Sequence, residues 1–563
     1  MLSVIFASLL GTAPVPWAFA THSLVKVRPG ARMDRMSSVS LELGRNECQA
    51  AQVVVPEGGP VFDLQVTAAQ PVGPDGRTLP VELSREVNLQ LQHASNAEGR
   101  LGPWPDILIP AVDSIVHEKR HAFPYSAPGS VPVAVWAEIC VPADATPGAY
   151  RGELRVRARG REDVRLPLNV TVLHYTLPAT SSLPNAFGFS GLSAAHAHGL
   201  NADDPNAVLT ISQRYATLAL KHRISLFGMT MEPPILKHGS NGVSVDFKDY
   251  DRELAPFLDG TALPNGARFT TLELRGPAGQ VSDADRIAYY AATVKHLESK
   301  GWLKRLFLYA PDEPKREQFP KVQRVAALAH AGDPRIRVLL TASRQPGLEG
   351  VADLWTPNMV CLFPRPEAKL CNAMVPESAY VPERAHGAKL WWYQSCMSHG
   401  CGPTTGAESV ATTGWPAYIV DLPAVLNRAM GAAAYRFGID GELYYSTTEA
   451  YEDGDPWRDV WRFDGNGDGT LFYPGTPAHI GGKTDIPLAS LRLKELRDGL
   501  QDYELLELAD SVGLHALAQA TAITLVPKPW EIQRDPTVWI AARRKLAEAI
   551  DARMGQAGKQ PSR

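Results

Sequence analysis

A surplus of positive charge is missing: 56 Lys and Arg stand against 60 Asp and Glu, for a net charge of −4. That excludes the electrostatic footprint of a nucleic-acid-binding protein. Long apolar runs are missing too. The best candidate is the opening "MLSVIFASLLGTAPVPWAFA", and Pro14 and Pro16 break it short of the ~20 apolar residues that span a bilayer. Cysteine is scarce, with six in 563 residues, so no disulfide framework substitutes for a hydrophobic core. No GxGxxG or Walker loop follows any apolar run, which removes the usual marks of dinucleotide and nucleoside triphosphate sites.

What is present begins with that opening segment. It ends in the small-residue exit Ala18-Phe19-Ala20 and reads as a secretory signal over residues 1–20, although no Lys or Arg precedes its apolar stretch. The expected location is therefore periplasmic or extracellular. In such a compartment Cys361 with Cys371 and Cys396 with Cys401 are close enough in sequence to pair, and spacing leaves the pairing open. "CMSHGC" invites a metal reading through Cys396, His399 and Cys401. No second ligand cluster at zinc spacing accompanies it, so neither a metal nor another cofactor is expected. Twelve Trp, 17 Tyr and 16 Phe supply flat apolar rings, which serve as core filler and as platforms for sugars.

Two grammars divide the chain. From Leu24 to Leu177 apolar residues alternate with polar ones, as in Val39, Leu41, Leu43 and in Val164, Leu166, Leu168, Val170, Val172. Turn signals such as "PEGG", "GPDG" and "PADATPG" separate them, the signature of an antiparallel β-sandwich, assigned to residues 21–176. After the proline-bounded linker "LPATSSLP", helical patterns alternate with the short apolar runs "ISLFGM", "RLFLYA", "RIRVLLTA", "MVCLF", "AKLWWYQS" and "GELYYS". Strand and helix in alternation over residues 184–487 predict a (β/α)8 barrel, with a doubly wound open sheet, which no GxGxxG or Walker loop supports, as the alternative. The tail, 488–563, is read as helical. Leu491, Leu496, Leu500 and Leu505 near one face among many charges predict packing on the outside of the barrel.

Chemistry concentrates in "LFLYAPDEPKREQ", residues 306–318. A continuously apolar strand ends in the adjacent carboxylates Asp312 and Glu313, and Pro314 forbids further pairing. Active sites of parallel barrels gather at the carboxyl ends of strands. In most glycosidases two carboxyls clasp a sugar from different strands, roughly 5–9 Å apart. Neighbours on one strand diverge, so they suit two adjacent points on one sugar. One protonates the departing oxygen, while the other steadies a 2-acetamido group whose carbonyl oxygen attacks the anomeric carbon. Burial and the charge of Asp312 are expected to raise the proton affinity of Glu313.

"YAPDEP" resembles the catalytic Asp-Glu motif of glycoside hydrolase family 123, the β-N-acetylgalactosaminidases, and of a broad bacterial group similar to it. "GRNECQAAQVVV" and "VWAEICVPADATPGAYRGEL" are similar to the family's amino-terminal sandwich. "KLWWYQS", "GIDGELYYS", "GDGTLFYPG" and "SLRLKELRDGLQDYELLELA" are similar to its barrel end and tail. The resemblance implies a retaining, substrate-assisted glycoside hydrolase that removes terminal β-linked N-acetylhexosamine, foremost N-acetylgalactosamine. Glu313 would then be the acid/base and Asp312 the residue that orients the acetamido group, with a carbohydrate or glycoconjugate as substrate. Alternatives on the same scaffold are a sugar-binding surface protein without turnover and a glycosidase for another sugar.

Around that pair, Trp392 and Tyr393 end the strand "KLWWY", and Tyr445, Trp457 and Tyr473 follow a later one. All five are candidate substrate-binding residues. Glu442, Glu449, Asp453 and Asp455 form a reserve of carboxylates. "DGNGDGTLFYPG" spaces Asp464, Asn466 and Asp468 like a calcium loop, but Gly475 occupies the twelfth position, where a carboxylate is needed. A glycine-rich active-site loop is the favoured reading there. His222 and Arg223 are assigned to structure. Nothing in the sequence sets the oligomeric state.

Overall fold

A computed structural model describes residues 16–557 except 231, 240–241, 366–370, 372–373, 400, 403, 406 and 453. The amino-terminal strands form two five-stranded sheets. One runs in the order Phe19–His22, Cys48–Val55, Val133–Cys140, Val81–Leu91, Gly102–Pro110, and the other Val39–Arg45, Val164–Thr176, Gly148–Arg157, Val61–Val72, Tyr125–Ala127. Period two produces this arrangement: Leu166, Leu168, Val170 and Val172 are buried while Arg165, Pro167 and Thr171 face outward. They meet Val53, Val135 and Ile139 of the facing sheet in one core. The expectation of a purely antiparallel sandwich needs one correction, since Leu168–Val172 pair in parallel with Val39–Leu43.

The sandwich also starts earlier than expected. Ala18, Phe19 and Ala20 are buried, and Phe19–His22 pairs with Ala51–Val54. A boundary after residue 20 would cut this strand in two. The rest of the expected signal, residues 1–15, lies outside the described residues. Cys48 and Cys140 sit directly opposite on neighbouring antiparallel strands and form a disulfide that their separation of 92 residues conceals. Cys361–Cys371 and Cys396–Cys401 also pair.

Beyond the linker come eight strands: β1 (Asn185–Gly188), β2 (Leu226–Phe227), β3 (Leu272–Glu273), β4 (Leu306–Tyr309), β5 (Arg337–Leu340), β6 (Leu354–Trp355), β7 (Lys389–Tyr393) and β8 (Gly441–Tyr444). They form one parallel sheet in the order β2-β1-β8-β7-β6-β5-β4-β3. The sheet curls until its edges approach. There Ser225 and Thr270 bridge the gap between β2 and β3, hydroxyl to hydroxyl at 2.9 Å and backbone to hydroxyl at 2.7 Å. Gly228 N–H also donates to Glu273 across it, at 3.2 Å. Ala186, Phe307, Leu339, Leu354, Trp391, Tyr393 and Leu443 fill the interior as a separate apolar cluster. Gly188 lets β1 reach β8, because a Cβ there would lie 1.9 Å from the carbonyl oxygen of Tyr445. This near-barrel departs from a regular (β/α)8 alternation. No helix lies between β5 and β6, where "TASRQPGLEGVAD" carries Pro346, Gly347 and Gly350. A hairpin, Ile235–Gly239 with Gly242–Asp246, is inserted between β2 and β3.

The tail helix α1 (Leu491–Ser511) packs on the near-barrel's outer helices and is covered by the sandwich as well. It is buried on nearly every side, wedged between the sandwich and the near-barrel. Arg492 bonds Asp106 at 2.8 Å, Lys494 and Arg497 reach Glu138 at 2.7 and 2.8 Å, and Asp502 accepts from Arg428 at 2.7 Å. The charges that read as a solvent face are paired with charges from Gly102–Pro110, from Val133–Cys140 and from the near-barrel. Buried pairs of this kind are costly to break, because the survivor stays desolvated. His222 and Arg223 join this interface in the structural role expected of them. The His222 ring bonds the Leu218 carbonyl at 2.7 Å, and Arg223 donates to the carbonyl of Asn46 at 3.0 Å.

One carboxyl at this interface makes a measurable prediction. Glu86 is buried and, among the described residues, neither of its oxygens has a hydrogen-bond partner. Burial first, and then the charge of Glu495, push its pKa from 4.5 to about 8. The folded state therefore holds a proton that the unfolded chain releases near pH 4.5, and stability present below that pH is lost as pH rises toward 8. A shift of this size corresponds to a few kcal/mol at roughly 1.4 per unit. Glu86→Gln should remove the dependence, so its melting temperature should gain on the parent's by several degrees between pH 5 and 8. Parallel melting curves across that range would show no such convergence if the site is hydrated.

Candidate active site

β4 is apolar because it is covered on both faces. Phe307 and Tyr309 point into the interior, while Leu306 and Leu308 pack under helices. Past Tyr309 the chain turns outward over Pro311, exposes Asp312 and Glu313, and buries Pro314 again. The two acids thus stand on a short crest at the carboxyl end of the sheet.

Three hydroxyls from three strands fix that crest. Tyr309 donates to Asp312 Oδ1 at 2.8 Å, and Thr341, just after β5, donates to the same oxygen at 2.6 Å. Tyr393, at the end of β7, donates to Glu313 Oε1 at 2.5 Å. The backbone N–H of Glu313 donates to Thr341 Oγ1 at 3.1 Å. Both phenols are held protonated. Burial, followed by the charge of the adjoining carboxylate, raises the pKa of Tyr309 through Asp312 and of Tyr393 through Glu313. Among the described residues nothing bonds Asp312 Oδ2 or Glu313 Oε2, so each acid keeps one oxygen for a ligand. Glu313 has φ +39°, a left-handed conformation that costs a non-glycine residue on the order of 1–2 kcal/mol. Glu313 is exposed rather than buried as expected.

Of the other candidates, Tyr393 joins the pair directly. Tyr445, at the end of the adjacent β8, turns its hydroxyl to Asp468 Oδ2 at 3.1 Å. Trp392 faces away from the interior, fully buried, with its ring 6.3 Å from that of Phe363. Alternation on a strand covered on both faces forces this choice, since Trp391 and Tyr393 take the inner side. Tyr473 is also buried and donates to Asp106 at 2.5 Å beneath the sandwich. Trp457 stacks on His479 at 4.7 Å and bonds the Pro474 carbonyl at 2.9 Å. Neither of these two has a contact with Asp312 or Glu313, and they form part of the seam between sandwich and near-barrel.

Of the reserve carboxylates, Glu442, Asp455 and Glu449 are engaged away from the crest. Glu442 is buried, bonded to the Tyr418 hydroxyl at 2.7 Å, and pushed up to about 8 by burial. Asp455 caps Trp457 N–H at 3.0 Å. Glu449 is half-buried, its backbone N–H bonded to the Gly469 carbonyl at 2.9 Å. Asp453 lies outside the described residues, as does the side chain of His399.

Sequence reasoning passed over Tyr309 and Thr341. Tyr309 carried a signal, since it alternates inward with Phe307 on the strand that leads to the acids. It also passed over what Asp468 does. This buried carboxylate accepts from Tyr444 at 3.2 Å, Tyr445 at 3.1 Å and the backbone N–H of Met397 at 3.2 Å, and burial lifts its pKa to about 6. Gly469, at φ +66°, lets the loop lie on Tyr445, whose hydroxyl would be 2.3 Å from a Cβ there. The calcium-like spacing thus serves a tyrosine-anchoring turn. Asn466, by contrast, donates to the His93 carbonyl at 2.9 Å.

With this geometry in place, comparison with known proteins is specific. Residues 286–509 match the family model of the glycoside hydrolase 123 catalytic domain. This stretch is similar to a family 123 catalytic domain. The match opens within the helix Asp283–Ser299 and closes within α1, so β4 to β8 and the Asp312–Glu313 crest lie inside it while β1 to β3 lie before it. The whole chain is similar to a family 123 glycoside hydrolase from Clostridium perfringens, solved in connection with glycolipid glycan hydrolysis. It shares 12% identity with that protein at TM-score 0.65, over 95% of this chain and 98% of that one. That likeness extends the family 123 fold to the sandwich and to β1 to β3. A xyloglucanase of Bacteroides ovatus (9% identity, 82% and 98% coverage, TM-score 0.21) overlaps too poorly to indicate a shared fold. So does a family 39 glycoside hydrolase of Bacteroides cellulosilyticus (10% identity, 85% and 83% coverage, TM-score 0.31). No curated protein matches the chain.

Proposed function

We propose that this protein is an exported glycosidase that removes terminal β-linked N-acetylhexosamine, foremost N-acetylgalactosamine, with retention and with help from the substrate's own acetamido group. The near-barrel is read as a (β/α)8 barrel lacking one crossover helix, with the catalytic crest on its carboxyl-terminal face. The observation that carries the reading is the division of the two acids: each is anchored through one oxygen and presents the other outward.

In the first step the acetamide carbonyl oxygen attacks C1 while the bond to the leaving oxygen breaks and Glu313 transfers its proton to that oxygen. The Asp312 carboxylate accepts the amide N–H and stabilises the positive charge that develops on the oxazolinium ring. In the second step water attacks C1, Glu313 takes the water's proton, and the ring reopens with the original anomeric configuration. Glu313 is exposed, open to an approaching sugar. Tyr393, bonded to Glu313, and Tyr445, at the end of the adjacent strand, are the aromatic residues proposed to meet the sugar. Three disulfides with no free cysteine among the described residues support export to an oxidising compartment.

The direct test is release of chromophore from an aryl 2-acetamido-2-deoxy-β-galactoside, together with binding of a thiazoline mimic of the oxazolinium ring. Turnover with tight thiazoline binding is expected. Turnover of aryl glycosides that lack the acetamido group, with indifference to the thiazoline, would transfer the enzyme to another sugar. Affinity without turnover would make it a binding protein.

A further inference from the structure

We propose that Thr341 is a positioning residue that locks the two acids of the crest into one directed hydrogen-bond chain. This rests on the functional reading above and adds a residue to it. Thr341 follows directly on β5, one strand away from the crest, and is itself buried at 3% exposure. Its hydroxyl touches both acids, 2.6 Å from Asp312 Oδ1 and 3.1 Å from the backbone nitrogen of Glu313.

The direction of each bond is fixed by the proton inventory. A backbone N–H can only donate, so Thr341 Oγ1 must accept from Glu313. Its single proton is then committed to Asp312. Tyr309 donates to that same oxygen. Two donors converging on Oδ1 orient Asp312 so that Oδ2 is left free of them. The same hydroxyl holds the peptide of Glu313, which sits at φ +39°, a conformation that persists only where its surroundings enforce it. Thr341 therefore sets two things at once: the rotamer of the group that steadies the acetamide, and the backbone setting from which Glu313 reaches the leaving oxygen. Tyr393 holds the far end of Glu313 at Oε1, whereas the Thr341 hydroxyl is hydrogen-bonded to both acids.

The test uses the full chain, with Thr341→Val, which keeps the shape and removes the hydroxyl, and Thr341→Ser, which keeps the hydroxyl and removes a methyl group. Crystal structures of parent and Thr341→Val are compared, and kinetics are run on aryl 2-acetamido-β-galactosides. In Thr341→Val we expect Glu313 to leave positive φ or Asp312 to change rotamer. We also expect kcat to fall at least tenfold with KM within threefold, and thiazoline affinity to fall in step with kcat/KM. Thr341→Ser should stay within threefold of the parent in every measure. The proposal is overturned if both acids keep their conformations in Thr341→Val. It is equally overturned if kcat survives the loss of the hydroxyl, or if Ser and Val are impaired alike, which would assign the effect to packing. A parent protein that turns over none of these substrates would defeat the functional reading instead, and the crystallographic comparison would still decide whether Thr341 holds the pair.

Discussion

Glu313→Gln is expected to lower kcat on unactivated 2-acetamido-β-glycosides by about 10²- to 10⁴-fold, the usual worth of a positioned general acid. The substitution is close to isosteric, and its carbonyl oxygen still accepts the hydroxyl of Tyr393, which now bonds Oε1 at 2.5 Å. What disappears is the proton. Leaving groups that depart without protonation, such as dinitrophenolate, should therefore be spared most of the loss in the first step. Added azide should restore turnover of such substrates by replacing the water that Glu313 would have activated. The measurement is the dependence of kcat/KM on leaving-group pKa, which should steepen in the variant. An equal loss for every leaving group would take the acid's role away from Glu313.

Asp312→Asn should behave differently, although its neighbour is one residue away. The amide oxygen can still accept from Tyr309 and Thr341, which bond Oδ1 at 2.8 and 2.6 Å, so the crest should keep its shape. Lost is the negative charge that, in the proposed mechanism, would stabilise the developing oxazolinium, an electrostatic contribution of the kind worth about 10²- to 10³-fold in kcat. Because ring closure accompanies departure of every aglycone, activated substrates should suffer as much as poor ones, and thiazoline affinity should fall in parallel. Unchanged thiazoline binding in Asp312→Asn would show that this carboxylate does not meet the acetamide. The contrast between the two variants is more informative than either alone, since a merely damaged site would impair both in the same pattern.

The pair itself is legible in the sequence, because a strand buried on both faces that ends in two acids is a rare arrangement and β4 obeys it. The sandwich is legible through period two. Less accessible is anything that depends on which side of a covered strand faces the interior. In "KLWWY" every residue after Lys389 is buried, so hydrophobicity cannot distinguish Trp392, packed outward on Phe363, from Tyr393, turned in toward Glu313. Tyr473 and Trp457 mislead for a related reason. They follow β8 in sequence, but the chain there has already left the face of the sheet for the seam with the sandwich. The tail helix misleads through charge: with partners over 350 residues away for Arg492, Lys494 and Arg497, no local pattern reveals that its polar side is dry. Thr341 gives no signal at all, since a lone threonine after a strand is common and its meaning lies in two contacts made across the sheet.

The placement of Leu491–Ser511 bears on how such a protein can be dissected or inherited. Asp106 and Glu138 belong to the amino-terminal strands, yet they neutralise Arg492, Lys494 and Arg497 in the interior. Removing the strands before the 177–184 linker would take the carboxylates away from Arg492 and Lys494, leave Arg497 with Asp498 alone, and bare the apolar seam that the sandwich covers. The half with the chemistry is consequently not a detachable module. Gene fusions or truncations that keep it while discarding the first 176 residues should yield insoluble product, and the two halves should be found travelling through evolution as one unit.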